Sequence, residues 1–150
     1  MINVEQSITI NRPIEEVFAF VGDQRNAPQW QHGVLEVRRT SEGALGIGTI
    51  HTAVRKFMGR KMEASTEYMQ YEPNENITFT GDSGPIHFET SYLTESTAEG
   101  TTLTCQMKMQ PGGLFGLAEP LIAASLRREM EANFGDLKDL LENQAEEITT

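Results

Sequence analysis

Residues 112–144, GGLFGLAEPLIAASLRREMEANFGDLKDLLENQ, decide how the rest of the chain can fold. Apolar side chains recur at Leu117, Ala118, Leu121, Ile122, Leu126, Met130, Phe134, Leu137 and Leu141, in the three- and four-residue steps of one helix face. Arg127, Arg128, Glu131, Asp136 and Asp139 fall on the opposite face. At about 1.5 Å per residue such a helix runs about 35 Å, the width of a small domain. Pro120 lacks the backbone donor that an interior position needs, so the pattern divides there. Residues 113–118 read as a lip or loose turn, and the helix proper opens at Glu119-Pro120. Gly135 costs about 1 kcal/mol relative to alanine inside a helix, and close approach to a sheet is the expected reason for it. A helix with one long apolar face needs something broad to lie on.

Almost everything before it reads as strand. Residues 2–10 alternate, with Val4, Ile8 and Ile10 on one side. Asn11-Arg12-Pro13 starts a short helix with Ile14, Val17, Phe18 and Val21 as its apolar face. Gly22-Asp23 breaks it, and Asp23 is placed to cap a second short helix running towards Trp30, whose regularity Pro28 limits. From Val34 onward strands alternate with turn signals. Two long strands, 49–57 and 61–71, join at Met58-Gly59-Arg60; others span 76–80, 86–94 and 101–109, with a turn over Gly81–Pro85. Strands in sequence with short turns form an antiparallel meander. The result is an α+β architecture, a curled antiparallel sheet on the long helix, and a gap between them is a natural ligand pocket.

Alternation selects the inner faces. It favours Leu103, Cys105, Met107 and Met109; Ile77 and Phe79; Ile86, Phe88, Thr90 and Tyr92; and Met62, Ala64, Thr66 and Tyr68. In the strand over 49–57 it favours Ile50, Thr52 and Val54, with Ala53 and Phe57 opposing. This register puts hydroxyls inside and leaves His51, His87, Glu63, Glu67 and Glu89 on the outer face. General acid–base chemistry needs a titratable group in the pocket, so the pattern suits binding better than turnover.

Composition narrows the field. A formal charge of −10 over 150 residues repels phosphate backbones, so nucleic acid is not an expected partner. The basic cluster Arg55, Lys56, Arg60 and Lys61 reads as a solvated hairpin end. The single cysteine, Cys105, allows no internal disulfide and reads as a small buried hydrophobe. His32, His51 and His87 are too dispersed for a metal site, and no metal or redox cofactor is expected. No signal peptide and no apolar stretch of membrane-spanning length is evident, so a cytoplasmic protein without integral membrane contact is the expectation.

Several phrases, in order and spacing, resemble the START-related superfamily of polyketide cyclase/dehydrase-like proteins. They are ITINRPIEEVFAFVGD (8–23), PQW (28–30), the Gly-Ile-Gly-Thr run at 46–49, YEPNENITF (71–79), GTTLTCQMKM (100–109) and LKDLLE (137–142). The resemblance covers almost the whole chain and implies a single helix-grip domain, residues 1–150: a seven-stranded antiparallel sheet curled around the C-terminal helix, with two short helices after the first strand. It also implies a deep cavity for apolar or aromatic molecules, lipids or polyketides. Ligand contacts are then expected from Trp30, Thr66, Tyr68, Phe79, Thr90, Tyr92, Met107 and Met109, with Phe115 and Leu121 at the lip where a ligand enters. Each has a plainer role: Trp30 as a packing anchor, the tyrosines bonded to backbone, the methionines as core, and the Gly-rich run before Pro120 as a turn. Three functions stay open: binding of a hydrophobic small molecule, a cyclase or dehydratase with Tyr68 or Tyr92 polarising a carbonyl, and an accessory protein with a vestigial cavity. A homodimer stays open as well.

Overall fold

The computed structural model describes residues 1–57, 59–110 and 118–149. Strand β1 (Ile2–Ile10) leads into helix α1 (Ile14–Gly22) and a 3₁₀ segment (Gln24–Gln29). Six strands follow, β2 (Val34–Arg39), β3 (Ile50–Phe57), β4 (Arg60–Glu72), β5 (Asn76–Ser83), β6 (Ile86–Thr97) and β7 (Gly100–Gln110), and then helix α2 (Glu119–Thr149). The sheet order is β1-β7-β6-β5-β4-β3-β2, each neighbouring pair antiparallel. This is the α+β arrangement that the order of elements implies and the helix-grip that the resemblance implies, and α2 opens at Glu119-Pro120 as expected.

Local chemistry fixes the joints. Pro13 presets the entry to α1, Glu15 and Glu16 face its positive N-terminal end, and Arg12 pairs with Glu16 at 2.6 Å. At the other end Gly22 passes so close to β5 that a Cβ would sit 2.5 Å from Ile77 Cδ1. The Asp23 carboxylate then accepts from the Arg25 backbone N–H at 3.0 Å, capping the 3₁₀ segment, and Pro28 inside it keeps it short. Gly81 does not turn the chain: β5 runs on to Ser83, and the missing Cβ leaves room for the Phe88 ring, which would collide with one. The reversal falls instead at Gly84, with φ of 56°.

A bulge at Met69 on β4 separates the pairs Tyr68↔Phe79 and Gln70↔Thr78, so Tyr68 and Tyr71 both face inward. Their rings stack at 6.2 Å, and Tyr71 meets Phe18 edge-on at 5.6 Å. The face of α2 formed by Ile122, Leu126, Met130, Phe134, Leu137 and Leu141 is buried. Its second half is tied to the end of β1 and the residue after it, because Lys138 Nζ donates to the Thr9 carbonyl at 2.7 Å and Glu142 accepts from the Asn11 backbone N–H at 3.1 Å.

Expectations about Leu121, Gly135 and the register of β3 also fail. Leu121, read as part of the apolar face, is 73% exposed. Gly135 approaches nothing: an added Cβ would meet no atom within 4 Å. The register of β3 is the reverse of the expected one, because His51, Ala53 and Arg55 stand opposite Thr66, Ala64 and Met62 and share their inner face. His51 is fully buried.

Candidate functional site

Between the sheet, the 3₁₀ segment and the first half of α2 lie three adjoining hollows that share Arg55 and Met107 in their walls. The largest encloses about 650 Å³, part of it open to solvent, and is walled mainly by Trp30, Phe79, Phe88, Tyr92 and Met107. Its floor is the directly paired Ala53 and Ala64, whose small side chains leave the space. A second of about 450 Å³ runs past Met62, Ile86 and Met109. A third of about 380 Å³ reaches under α2 to Leu126, Met130 and Phe134.

Two elements close over this space. The Trp30 indole stacks on Phe134 at 6.1 Å and meets Tyr92 edge-on at 6.1 Å, so it is both a packing anchor and a cavity wall. Residues Gln31–Gly33 are bolted down by three neighbours. Gln31 Nε2 donates to the Tyr92 hydroxyl at 3.3 Å, the His32 backbone N–H donates to Asn133 Oδ1 at 3.1 Å, and the His32 ring pairs with Asp136. Gly33 has no Cβ because one would lie 2.5 Å from Glu129 Oε1 and 2.9 Å from Arg55 Nη2. Those two residues form an ion pair of 2.8 Å that joins β3 to α2 across the hollow.

The expected site residues separate into groups. Trp30, Thr66, Phe79, Thr90, Tyr92, Met107 and Met109 all line the hollows. Tyr68 faces inward but stands behind the wall: its hydroxyl donates to the Gly22 carbonyl at 2.5 Å and accepts from the Gln24 backbone N–H at 3.3 Å. It is therefore an anchor for the end of α1, the plainer of its two roles. Leu121 lines none of the hollows, and Phe115 lies outside the described residues.

The sequence reading missed Arg55, Glu129, Asn133 and His51. Arg55, expected at a solvated hairpin end, lies at the junction of all three hollows. Asn133 carried a signal, since it sits three residues after Met130 on the apolar face of α2, where a polar side chain needs a partner. His51 overturns the expectation of an interior without histidine. It does not line a hollow; it tilts against the Tyr68 ring at 5.4 Å, next to Thr66, which does.

Burial sets the protonation states. It lowers the His51 pKa below the ordinary 6.5; Asp23 opposes that shift, while Arg39 and Arg25 add to it. Burial would also raise Asp23, but the hydrogen bonds and charge of Arg25 outweigh it and leave the carboxyl below its usual value. The Tyr92 hydroxyl is pushed well above its ordinary range by burial, and Cys105 is pushed up to about 12 by the same cause, so both stay protonated at neutral pH. Cys105 is thus the inert, buried hydrophobe expected. The walls present aromatic rings, thioethers, neutral hydroxyls and two compensated charges, Glu129 paired with Arg55 and Asp23 with Arg25. Among the described residues no three His, Cys, Asp or Glu side chains are grouped as metal ligands would be, and no helix is long and apolar enough to cross a membrane.

Known structures share this architecture. A START superfamily protein from Mycobacterium smegmatis superposes with a TM-score of 0.78 at 13% identity, over 96% of this chain and 99% of that one. The Zhui aromatase/cyclase from a Streptomyces species gives 0.76 at 14%, over 95% and 94%. A protein from Thermus thermophilus gives 0.75 at 18%, over 92% and 94%. At such identities the likeness is one of fold. No curated protein matches the sequence. The family model for polyketide cyclase / dehydrase and lipid transport proteins matches residues 1–142, from the start of the chain to Glu142 on α2, and the chain belongs to that family.

Proposed function

We propose that this protein binds a hydrophobic or aromatic small molecule in the cavity between the sheet and α2. The observation that carries this reading is the hollow of about 650 Å³ above the Ala53–Ala64 floor, ringed by Trp30, Phe79, Phe88 and Tyr92. Its lining is apolar with few polar groups, as small-molecule sites are. Binding rather than turnover is favoured by the charges on the walls. Asp23 is paired with Arg25 at 2.7 Å and Glu129 with Arg55 at 2.8 Å, while His51 sits behind the wall.

Native mass spectrometry of the freshly purified protein tests this directly, and the expected result is an added mass of small-molecule size that denaturation releases. Trp30, the single tryptophan, also supplies an optical probe on the cavity wall, so titration with a flat aromatic compound such as 2-naphthol should quench its emission saturably. A protein with no added mass and no saturable quenching would refute the reading.

A cyclase or dehydratase is the second reading, and the Tyr92 hydroxyl favours it. Tyr92 lines the hollow, and its hydroxyl accepts from Gln31, which leaves its own proton available to polarise a ligand carbonyl. Turnover of a poly-β-ketone substrate that is lost in Tyr92→Phe would establish it. Single-site binding without product would leave the binding reading standing.

A further inference from the structure

The corner of the main hollow where the 3₁₀ segment meets β4 holds polar groups that the fold itself does not satisfy. Gln24 and Thr66 line the hollow there, and the Thr66 hydroxyl donates to Gln24 Oε1 at 3.3 Å. The other end of that amide, Nε2, is buried with no hydrogen-bond partner. Directly across the β3–β4 ladder from Thr66 stands His51, fully buried, with both ring nitrogens unpartnered; beyond it, across the β2–β3 ladder, buried Nε and Nη2 of Arg39 are unpartnered too. Buried polar groups without partners are rare in folded proteins because each forfeits its bonds to water, and a concentration of them beside a cavity points to something the cavity receives.

We propose that this corner is a hydrogen-bonding subsite for an uncharged oxygen, the carbonyl of a ketone or quinone, at one tip of an otherwise apolar ligand. The inference rests on the binding reading above and specifies its ligand class. The Thr66 proton is shared between Gln24 Oε1 at 3.3 Å and the His51 carbonyl at 3.5 Å, so the group left over is the Gln24 Nε2–H donor, which calls for an acceptor. A neutral acceptor fits better than an anion because the Asp23 carboxylate lines the same corner. A ligand cation would meet the donor edge of Gln24.

The shape agrees with an elongated molecule. Thr66 and Arg55 both line the main hollow, and His51, the partner of Thr66, lies four residues from Arg55 on β3, about 13 Å at the strand rise. The Ala53–Ala64 floor lies between them. A ligand of two or three fused rings fits within that distance with its oxygen at Gln24 and its rings between Trp30, Phe79 and Phe88.

An isosteric probe pair tests the subsite: 2-acetylnaphthalene, which carries C=O, and 2-isopropenylnaphthalene, which carries C=CH₂ in its place. Both are titrated into the intact protein by quenching of Trp30, with absorbance corrected. The expected result is that the wild type binds the ketone about tenfold more tightly. Gln24→Leu should abolish the preference while still binding the hydrocarbon. Gln24→Glu, similar in size but with acceptors only, should bind the ketone more weakly than the hydrocarbon. Thermal melts confirm that each variant is folded, and either one suffices for the comparison. Equal wild-type affinity for the two probes would overturn the subsite while leaving the cavity reading intact, and so would a ketone preference unchanged in the variants. If neither probe quenches Trp30, the cavity reading falls and takes the subsite with it.

Discussion

At neutral pH burial keeps the His51 imidazole uncharged, and the adjacent Arg39 and Arg25 reinforce that against the pull of Asp23. The sign of the consequence is definite. A histidine whose folded pKa lies below 6.5 is protonated first in the unfolded chain, so its contribution is intact above pH 6.5 and is lost as pH falls towards the folded value. Urea denaturation at pH 7.5 and 5.5 should show a clear loss of stability at the lower pH, and His51→Leu should lose less. An equal loss in both proteins would put the pH dependence elsewhere. Tyr68 is the second residue whose role is structural. Its hydroxyl satisfies the buried Gly22 carbonyl, so Tyr68→Phe should cost about 1–3 kcal/mol of stability with the affinity for 2-naphthol unchanged. A weakened affinity at unchanged stability would instead return Tyr68 to the ligand wall.

Among the elements, α2 and β3 show what sequence periodicity can and cannot resolve. The length of α2, its opening at Glu119-Pro120 and its buried line from Ile122 to Leu141 are all legible because 3.6-residue periodicity is set by burial against one broad surface. Leu121 escapes the rule because it adjoins Ile122 on the helix circumference, and a chain always leaves some apolar side chains exposed. Accordingly Leu126→Ala should cost about 2–5 kcal/mol while Leu121→Ser changes stability by less than about 0.5 kcal/mol. Gly135 has free space about its Cα, so Gly135→Ala should stabilise by about 0.5–1 kcal/mol through the lost flexibility of the unfolded chain. A destabilised Gly135→Ala would mean the glycine serves a contact after all. Strand β3 misled for a different reason. Ile50, Thr52 and Val54 carry the higher β-propensity, yet they face outward, while His51, Ala53 and Arg55 share the inner face. Alternation identifies the inner face only where that face packs against a solid core. Over a cavity the inner face is free to be small or polar, and such departures from pattern concentrate at functional sites.

The whole molecule divides along α2 into a solid end and a hollow one. Leu137 and Leu141 belong to the same core cluster as Ile10, Val17 and Leu103, all at most 1% exposed, whereas Leu126, Met130 and Phe134 roof the hollow. A fold able to bury Leu103 completely can also fill the space above Ala53 and Ala64 with larger side chains, and here it does not. Unfilled apolar volume forgoes dispersion contacts and lowers stability, so an open cavity is a cost that a ligand can offset. This separates a functional cavity from a vestigial one. Ala64→Leu places a side chain into the two hollows that Ala64 borders, one of them the main hollow. The variant should melt at the same temperature as the wild type or higher, and should lose saturable quenching of Trp30 by 2-naphthol at least tenfold in affinity. It should also purify without the small molecule expected in native mass spectra of the wild type. If Ala64→Leu keeps both the quenching and the co-purified mass, the ligand lies elsewhere and the hollow is a packing defect; if it melts well below the wild type, the space is already occupied by the fold's own side chains.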